Sequence, residues 1–439
     1  MMNNHFRCMA LRGLSLFTAA ALLTACAASQ AAAPAASEST ADEAVTFMAP
    51  YLNVESFIDK VHSIYPEVNI EIVPYSGDNT TSCIQNMIEA HDLPDICTVT
   101  VYNPMTDDMS DQLIDLAGYD FTDNYIESRL QEVTDNGAIY LLPSVYNCYG
   151  ITYNKTLLQQ NGWTVPTSFA ELEQLAEKAE AAGVALCLPQ SQYPGYGFQY
   201  MCNIADADFL GTLDGKRWQK DYLSGKANVS GTPGMMQAMA YIQKWRDIGM
   251  LNGDGDPTSD EVTRQRMING DALFLLGSTN GIVEADGTRD KFGLMPYLSE
   301  DGSQNVFVLS VNRYFGLNKR LEQNPQKLED ALKVMCVLST VEGTTALYPE
   351  TKVKSSLMPF KNAKANDTYY TDIADALNFG STAPFIYSGW ENTIVTTGNK
   401  MLDFMRGDAT IDEVIAQLDG DQDKVVNNTP DLITTAAED

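Results

Sequence analysis

The sequence predicts an α/β protein with more than one lobe. Strand-like and helix-like stretches alternate from residue 44 onward, the pattern of a parallel sheet with helices on its faces. The pattern returns around residues 166–183 and again around 324–340. Beyond the first 43 residues, roughly 395 of the 439 remain, too many for one hydrophobic core.

The first strand is "AVTFM", Ala44 to Met48. A helix follows on the i, i+4, i+7 stripe of Phe57, Val61 and Ile64. "VNIEIVPYS" alternates Val68, Ile70 and Ile72 with Asn69 and Glu71, the period of a strand. A second helix is expected from about Thr80 to His91, running through Leu93-Pro94-Asp95-Ile96 into the strand "ICTVTV". Farther on, Pro166, Ser168 and Glu171 spell a capping box, in which the serine oxygen takes an orphan amide and the glutamate reaches back to the serine amide. Phe169, Leu172, Leu175, Ala176 and Ala179 form that helix's inner face, and Gly183 can take the left-handed stop. Asn324 and Pro325 open another helix, with Leu328, Leu332 and Met335 facing in. There is no internal repeat.

The N-terminus reads as an export signal. Arg7 and Arg12 precede "GLSLFTAAALLTA" (Gly13 to Ala25), thirteen residues without a charge. As a helix they would reach about 20 Å, short of the roughly 30 Å hydrocarbon core. The segment ends in Leu23-Thr24-Ala25-Cys26, similar to a bacterial lipobox, which implies cleavage before Cys26 and lipid attached to it. The alternative is an ordinary signal cut after Ala25, with a chance cysteine. Residues 27–43, "AASQAAAPAASESTADE", are too poor in large apolar side chains to fold and read as a flexible tether.

A net charge of -30 opposes nucleic-acid binding, which needs Lys and Arg against phosphates. It fits a solvated acidic surface, with a cationic ligand as the alternative. No C-x-x-C pair supports zinc or redox chemistry, and Cys97, Cys187 and Cys336 sit in apolar runs as small core residues. Catalytic motifs are lacking too. The histidines are His5, His62 and His91, the first inside the signal, and neither G-x-S-x-G nor H-E-x-x-H occurs. A glycosidase needs only two carboxylates, so with 58 acidic residues composition leaves that reading open. "NGDGDPTSDE" (Asn252 to Glu261) begins like a calcium loop, but Pro257 stands where Gly is required and Thr263 where Glu is. "DGDQDK" (Asp419 to Lys424) fails similarly at Lys424, so no metal or cofactor is expected.

One stretch stands apart. "VYNCYGITYNK" (Val145 to Lys155) places Tyr146, Tyr149 and Tyr153 around Asn147 and Asn154. Flat amphipathic rings alternating with amides suit a surface that holds something polar with apolar faces.

Taken in order, these stretches resemble the extracellular solute-binding proteins of bacterial ABC importers, in the group that includes maltose-binding protein. The resemblance rests on "LPDI" (Leu93 to Ile96) and on the Tyr-Asn-Lys segment with its following Gly, Pro, Thr and Glu-Leu helix. "MINGDALFLLGS" (Met267 to Ser278), "VNRYFGLNKRLEQNPQKLEDALKVMCVLS" and "FMRGDATIDEVIAQL" complete it. It implies a periplasmic-binding-protein-like fold of type II: two α/β lobes, each a sheet flanked by helices, with the ligand in the cleft between them. The expected partition is a signal at 1–25, a tether at 26–43, an N-lobe at 44–149 and 291–342, and a C-lobe at 150–290 and 343–439.

The resemblance also implies site residues. Asn147 aligns with a position that contacts sugar through an acidic side chain in the family, and an amide can both donate to and accept from a hydroxyl. Tyr149 shares its face of an extended strand, whereas Tyr146 and Cys148 point the other way, and Tyr153 and Asn154 are structural. Trp390 matches a tryptophan that stacks on a sugar ring. Tyr102 and Asn103 follow a strand at the carboxyl edge where open α/β sheets bind ligands, and Tyr51 and Asn53 occupy an equivalent edge. Tyr196 and Phe198 offer a third aromatic platform. Where better-known sugar binders place aromatics after the Gly of "FLLGS", this chain has Ser278, Thr279 and Asn280, which favours a short sugar over a long maltodextrin.

The expected role is therefore the substrate-binding subunit of an ABC importer, a monomer anchored by lipid at Cys26 on the outer face of the cell membrane. It would hand a mono- or oligosaccharide to permease subunits, without cofactor or nucleic acid. A polyamine or peptide receptor on the same fold is the first alternative, and an exported carbohydrate-active enzyme the second.

Overall fold

The structure is a computed structural model that describes residues 43–49, 54–74, 80–100, 107–252, 256–277, 289–348, 357–363, 376–377, 382–386 and 389–427. The strands of its three larger sheets, in chain order, are β1 (Val45–Phe47), β2 (Ile70–Ile72), β3 (Ile96–Val99), β4 (Leu142–Pro143), β5 (Tyr146–Tyr149), β6 (Ile151–Asn154), β7 (Ala185–Pro189), β8 (Ala272–Leu276), β9 (Phe292–Met295), β10 (Phe307–Val311), β11 (Tyr314–Leu317) and β12 (Thr382–Pro384). The helices that position the site are α1 (Glu55–His62), α2 (Thr80–Glu89), α3 (Glu127–Gln131), α4 (Phe169–Ala182), α5 (Pro194–Ala205), α6 (Leu213–Leu223), α7 (Asp260–Asn269), α8 (Pro325–Leu338), α9 (Val341–Leu347), α10 (Glu391–Arg406) and α11 (Ile411–Asn427).

Two sheets organise two lobes. The first has the order β2-β1-β3-β11-β4, with β1 parallel to β2 and β3 and with β11 antiparallel to both its neighbours. Phe47, Phe57, Ile96, Phe315, Met335 and Leu347 pack into one core against it. The second has the order β9-β6-β8-β7, where β7 and β8 are parallel and β6 runs against β8 and β9. Its core gathers Phe169, Tyr200, Ile242, Trp245 and Phe274. Among the described residues no helix is long and apolar enough to cross a membrane.

A third sheet, β12-β10-β5, joins the lobes. β5 lies between β4 of the first sheet and β6 of the second, and β10 lies between β9 of the second and β11 of the first. β12 lies between Phe360, in the first core, and Ile394, in the second. Each strand of this sheet is thus a crossing between lobes, and the crossings hydrogen-bond to one another. Two expected boundaries move. Phe292–Met295, assigned to the N-lobe from sequence, pairs with β6 in the second sheet, because the chain returns only at β10. Likewise α9, which the expected boundary between residues 342 and 343 divides between the lobes, buries Leu347 in the first core.

Local chemistry follows the sequence with informative exceptions. α1 buries Phe57 and Val61, but it stops at His62 and leaves Ile64 44% exposed, so the expected stripe loses its last member. The Ser168 oxygen caps the Glu171 amide, while Glu171 reaches to the amide and hydroxyl of Thr167 rather than to Ser168. Gly183 takes the left-handed conformation at φ 66°. A full capping box opens α11, where the Thr410 amide donates to Glu413 and the Glu413 amide to Thr410. Cys97 and Cys187 are buried free thiols. "DGDQDK" lies in α11, where Asp419 accepts from the Val229 amide.

The Pro-Asp-Ile turn has a structural cause. Asp95 is 1% exposed, and its Oδ2 accepts from the Thr46 amide (2.9 Å), the Thr46 hydroxyl (2.7 Å) and Lys327 Nζ (2.9 Å). Arg320 Nε stands 3.5 Å from its other oxygen. Burial alone would raise this carboxyl's pKa; the hydrogen bonds from Thr46 and Lys327 outweigh it and hold the pKa below the ordinary value. The motif pins β1, β3 and α8 together.

Candidate ligand cleft

The topology places the site. β1 and β3 end at the same edge of the first sheet, and there β4 leaves through Ser144 and β11 begins after Arg313. In the second sheet β7 and β8 end where β6 begins. Both sheets therefore turn their carboxyl edges toward the hinge sheet, where open α/β sheets bind ligands.

The hinge sheet forms the floor. Side chains alternate along β5: Tyr146 and Cys148 are buried, Asn147 is exposed and Tyr149 is half-buried. Ser310 stands directly opposite Asn147, and Val308 opposite Tyr149, so these four share one face. Phe385, just past β12, stacks on Tyr149 with ring centroids 5.2 Å apart and planes 25° apart. An amide and a hydroxyl thus lie beside a pair of stacked rings.

The opposite face is locked to the first lobe. The Tyr146 hydroxyl donates to Glu132 Oε2 at 3.1 Å, and the Arg129 guanidinium lies 5.1 Å from its ring centroid. Burial, then the Glu132 carboxylate, pushes the Tyr146 phenol well above its ordinary pKa. Arg129, buried on α3, also donates to Glu132 Oε1 (2.7 Å), Thr382 Oγ1 (3.3 Å) and the Leu377 carbonyl, tying this helix to β12. Asn154 is structural, as expected: its side chain caps the helix Lys155–Asn161 by accepting from the Leu157 amide at 3.0 Å. The Tyr153 ring lies against Gly293, where a Cβ would stand 2.3 Å from it.

Tyr196 contributes a wall from the second lobe. It sits in the first turn of α5, which follows the end of β7, and is half-buried. Its hydroxyl donates to Asp260 Oδ2 at 2.8 Å, and its ring stacks on Tyr200 at 6.2 Å. Burial first, then Asp260, raises its pKa, and Tyr196 and Tyr149 both pack against the core of the second lobe. Asp260 opens α7, and its amide donates to Gln192 Oε1 at 3.1 Å.

Two expected site residues lie elsewhere. Phe198 is 1% exposed: two positions along a helix from Tyr196 it points toward a different side, into the second core. Trp390 is 4% exposed and stacks on Tyr222 at 4.6 Å and 5°, with Phe198 at 5.9 Å and Trp218 at 6.1 Å. The flat surface expected to meet a sugar is taken by protein, so both are core residues. Tyr51, Asn53, Tyr102, Asn103, Thr279 and Asn280 lie outside the described residues. Ser310, Phe385 and Asp260 were not legible as site residues, because register across the hinge sheet and the contact with Tyr196 bring them in.

Two α/β lobes, three paired crossings and a polar-aromatic floor between them define a two-lobed binding protein. The chain belongs to the bacterial extracellular solute-binding protein family, whose model matches residues 56–315. It is 25% identical over 185 residues to the maltodextrin-binding protein MdxE of Bacillus subtilis (strain 168), a match covering 40% of this chain and 40% of that relative. Among solved structures it is similar to the apo-form of RafE from Streptococcus pneumoniae, with a TM-score of 0.68 at 16% identity over 87% of this chain and 98% of that one. The bacterial solute receptor AcbH superposes with a TM-score of 0.70 at 14% identity, over 87% and 98%. At such identities the likeness to these structures is one of fold.

Proposed function

We propose that this chain is the substrate-binding subunit of an ABC importer and captures a mono- or oligosaccharide by closing its lobes on the hinge sheet. The observation that carries the reading is the floor itself. The exposed Asn147 amide lies beside the Tyr149–Phe385 stack, with the buried Ser310 opposite it, matching a sugar's hydroxyl rim and its face of C–H groups. The relatives' names support the class of ligand: a maltodextrin for MdxE, raffinose in complex with RafE, and β-D-galactopyranose for AcbH. In this reading the chain binds without catalysing, acts as a monomer, is held by lipid at Cys26 on the outer face of the membrane, and delivers its ligand to permease subunits.

A second reading, a cationic amine, is favoured by one observation: the Asp260 carboxylate stands beside the Tyr196 ring. A thermal-shift screen of the mature chain against neutral sugars, polyamines and peptides separates the two. A ligand at a hundred times its Kd stabilises by about 2.7 kcal/mol, which moves the melting temperature by several degrees. Response to sugars supports the proposal; silence from sugars with response to polyamines replaces the ligand and keeps the fold.

A further inference from the structure

The contact between Tyr196 and Asp260 has a chemical consequence for the ligand. A phenol carries one proton, and here that proton is directed at Asp260 Oδ2, 2.8 Å away. Asp260 is 8% exposed, while Tyr196 is half-buried, so Tyr196 is the partner that can meet a bound molecule. Asp260 is itself held in place by the bond from its amide to Gln192 Oε1. Burial raises the Asp260 carboxyl's pKa, while the bond from Tyr196 and then the charge of Arg264 on the same helix oppose that rise, and Asp260 Oδ1 is buried with no hydrogen-bond partner among the described residues. With its proton committed, the Tyr196 oxygen can only accept, and the carboxylate behind it is acceptor-only as well.

We infer that Asp260 is a positioning residue that sets specificity: it fixes Tyr196 as a hydrogen-bond acceptor, so that this wall of the cleft takes a donor hydroxyl of a neutral sugar and rejects acidic sugars. A uronate carboxylate or a phosphate placed there would face the Tyr196 oxygen and the Asp260 charge with no proton to share. This inference rests on the sugar reading of the cleft.

The test is titration calorimetry with galactose, maltose and raffinose as neutral probes and galacturonate and glucuronate as acidic ones. The wild-type chain, Asp260→Asn, Asp260→Glu and Tyr196→Phe are compared. Wild type should bind a neutral sugar and leave the uronates at least about tenfold weaker. An amide in Asp260→Asn can donate to the Tyr196 oxygen and release its proton toward the cleft, so neutral-sugar affinity should fall about tenfold and the preference over uronates should narrow. Asp260→Glu should keep the preference, and Tyr196→Phe should lose affinity for neutral sugars without gaining uronates. An Asp260→Asn variant with an unchanged neutral-to-acidic ratio overturns the inference, whether its affinities are unaltered or fall together with its melting temperature. A wild-type chain that binds none of the sugars overturns the sugar reading instead, and this inference with it.

Discussion

Replacing Trp390 by alanine should unfold the second lobe more readily rather than weaken the ligand site. The indole stacks on Tyr222 at 4.6 Å, touches Phe198 and Trp218 in the same cluster, and is nearly covered. It also precedes α10, whose Thr393 and Ile394 amides donate to the Trp390 carbonyl, so the backbone there is fixed. Large-to-small changes of this kind cost about 3–5 kcal/mol, the lost transfer energy plus the cavity left behind. The stacked pair contributes about 0.5–1.5 kcal/mol within that sum. For a cooperative unit of roughly 200 residues the melting temperature should fall by about 6–20 °C. Urea unfolding followed by circular dichroism measures the loss, and sugar affinity is measured well below the transition. A variant that keeps its stability within about 0.5 kcal/mol yet loses sugar affinity tenfold would refute the argument and return Trp390 to the cleft.

Asn147→Ala removes one exposed amide from the floor, so sugar Kd should rise roughly 2- to 10-fold while the melting temperature stays put, as calorimetry and a thermal scan would show. Asp95→Ala should cost about 3 kcal/mol, because it leaves Lys327 and Arg320 without a central partner. Since the folded pKa of Asp95 lies below its unfolded value, its stabilisation is complete above the unfolded pKa and is lost as pH falls through the folded one. Unfolding curves across the acid range should accordingly be flatter for Asp95→Asn than for wild type. Cys26→Ser should move the protein from the membrane fraction to the medium; continued membrane attachment would exclude lipid at this residue.

Much of the fold was legible because local and long-range signals agreed. The alternation at Val68, Ile70 and Ile72, the Ser168 cap, the Gly183 stop and the Asn324 cap each mark an element whose ends depend on backbone chemistry within a few residues. The strand face of Asn147 was legible for the same reason, since period two is a local property. Trp390 was misread because sequence gives its type but not its neighbours, and Tyr222, from a helix far along the chain, fills the face expected to be open. Phe198 failed for a related reason: the pair was expected to share one platform, yet Pro194 starts a helix, and a helix separates residues two apart. Ser310, Phe385 and Asp260 depend on register and on contacts across 64 to more than 150 residues. The expected lobe boundaries at 290/291 and 342/343 slipped because apolar strands and helices look alike in either lobe.

Small-angle X-ray scattering of the mature chain, with and without a saturating neutral sugar identified in the thermal screen, would detect closure of the two lobes. Capture by lobe closure about the hinge sheet predicts that the radius of gyration falls when sugar is added and is unchanged by a non-binding sugar at the same concentration. Tight sugar binding with an unchanged radius of gyration would contradict the closure account.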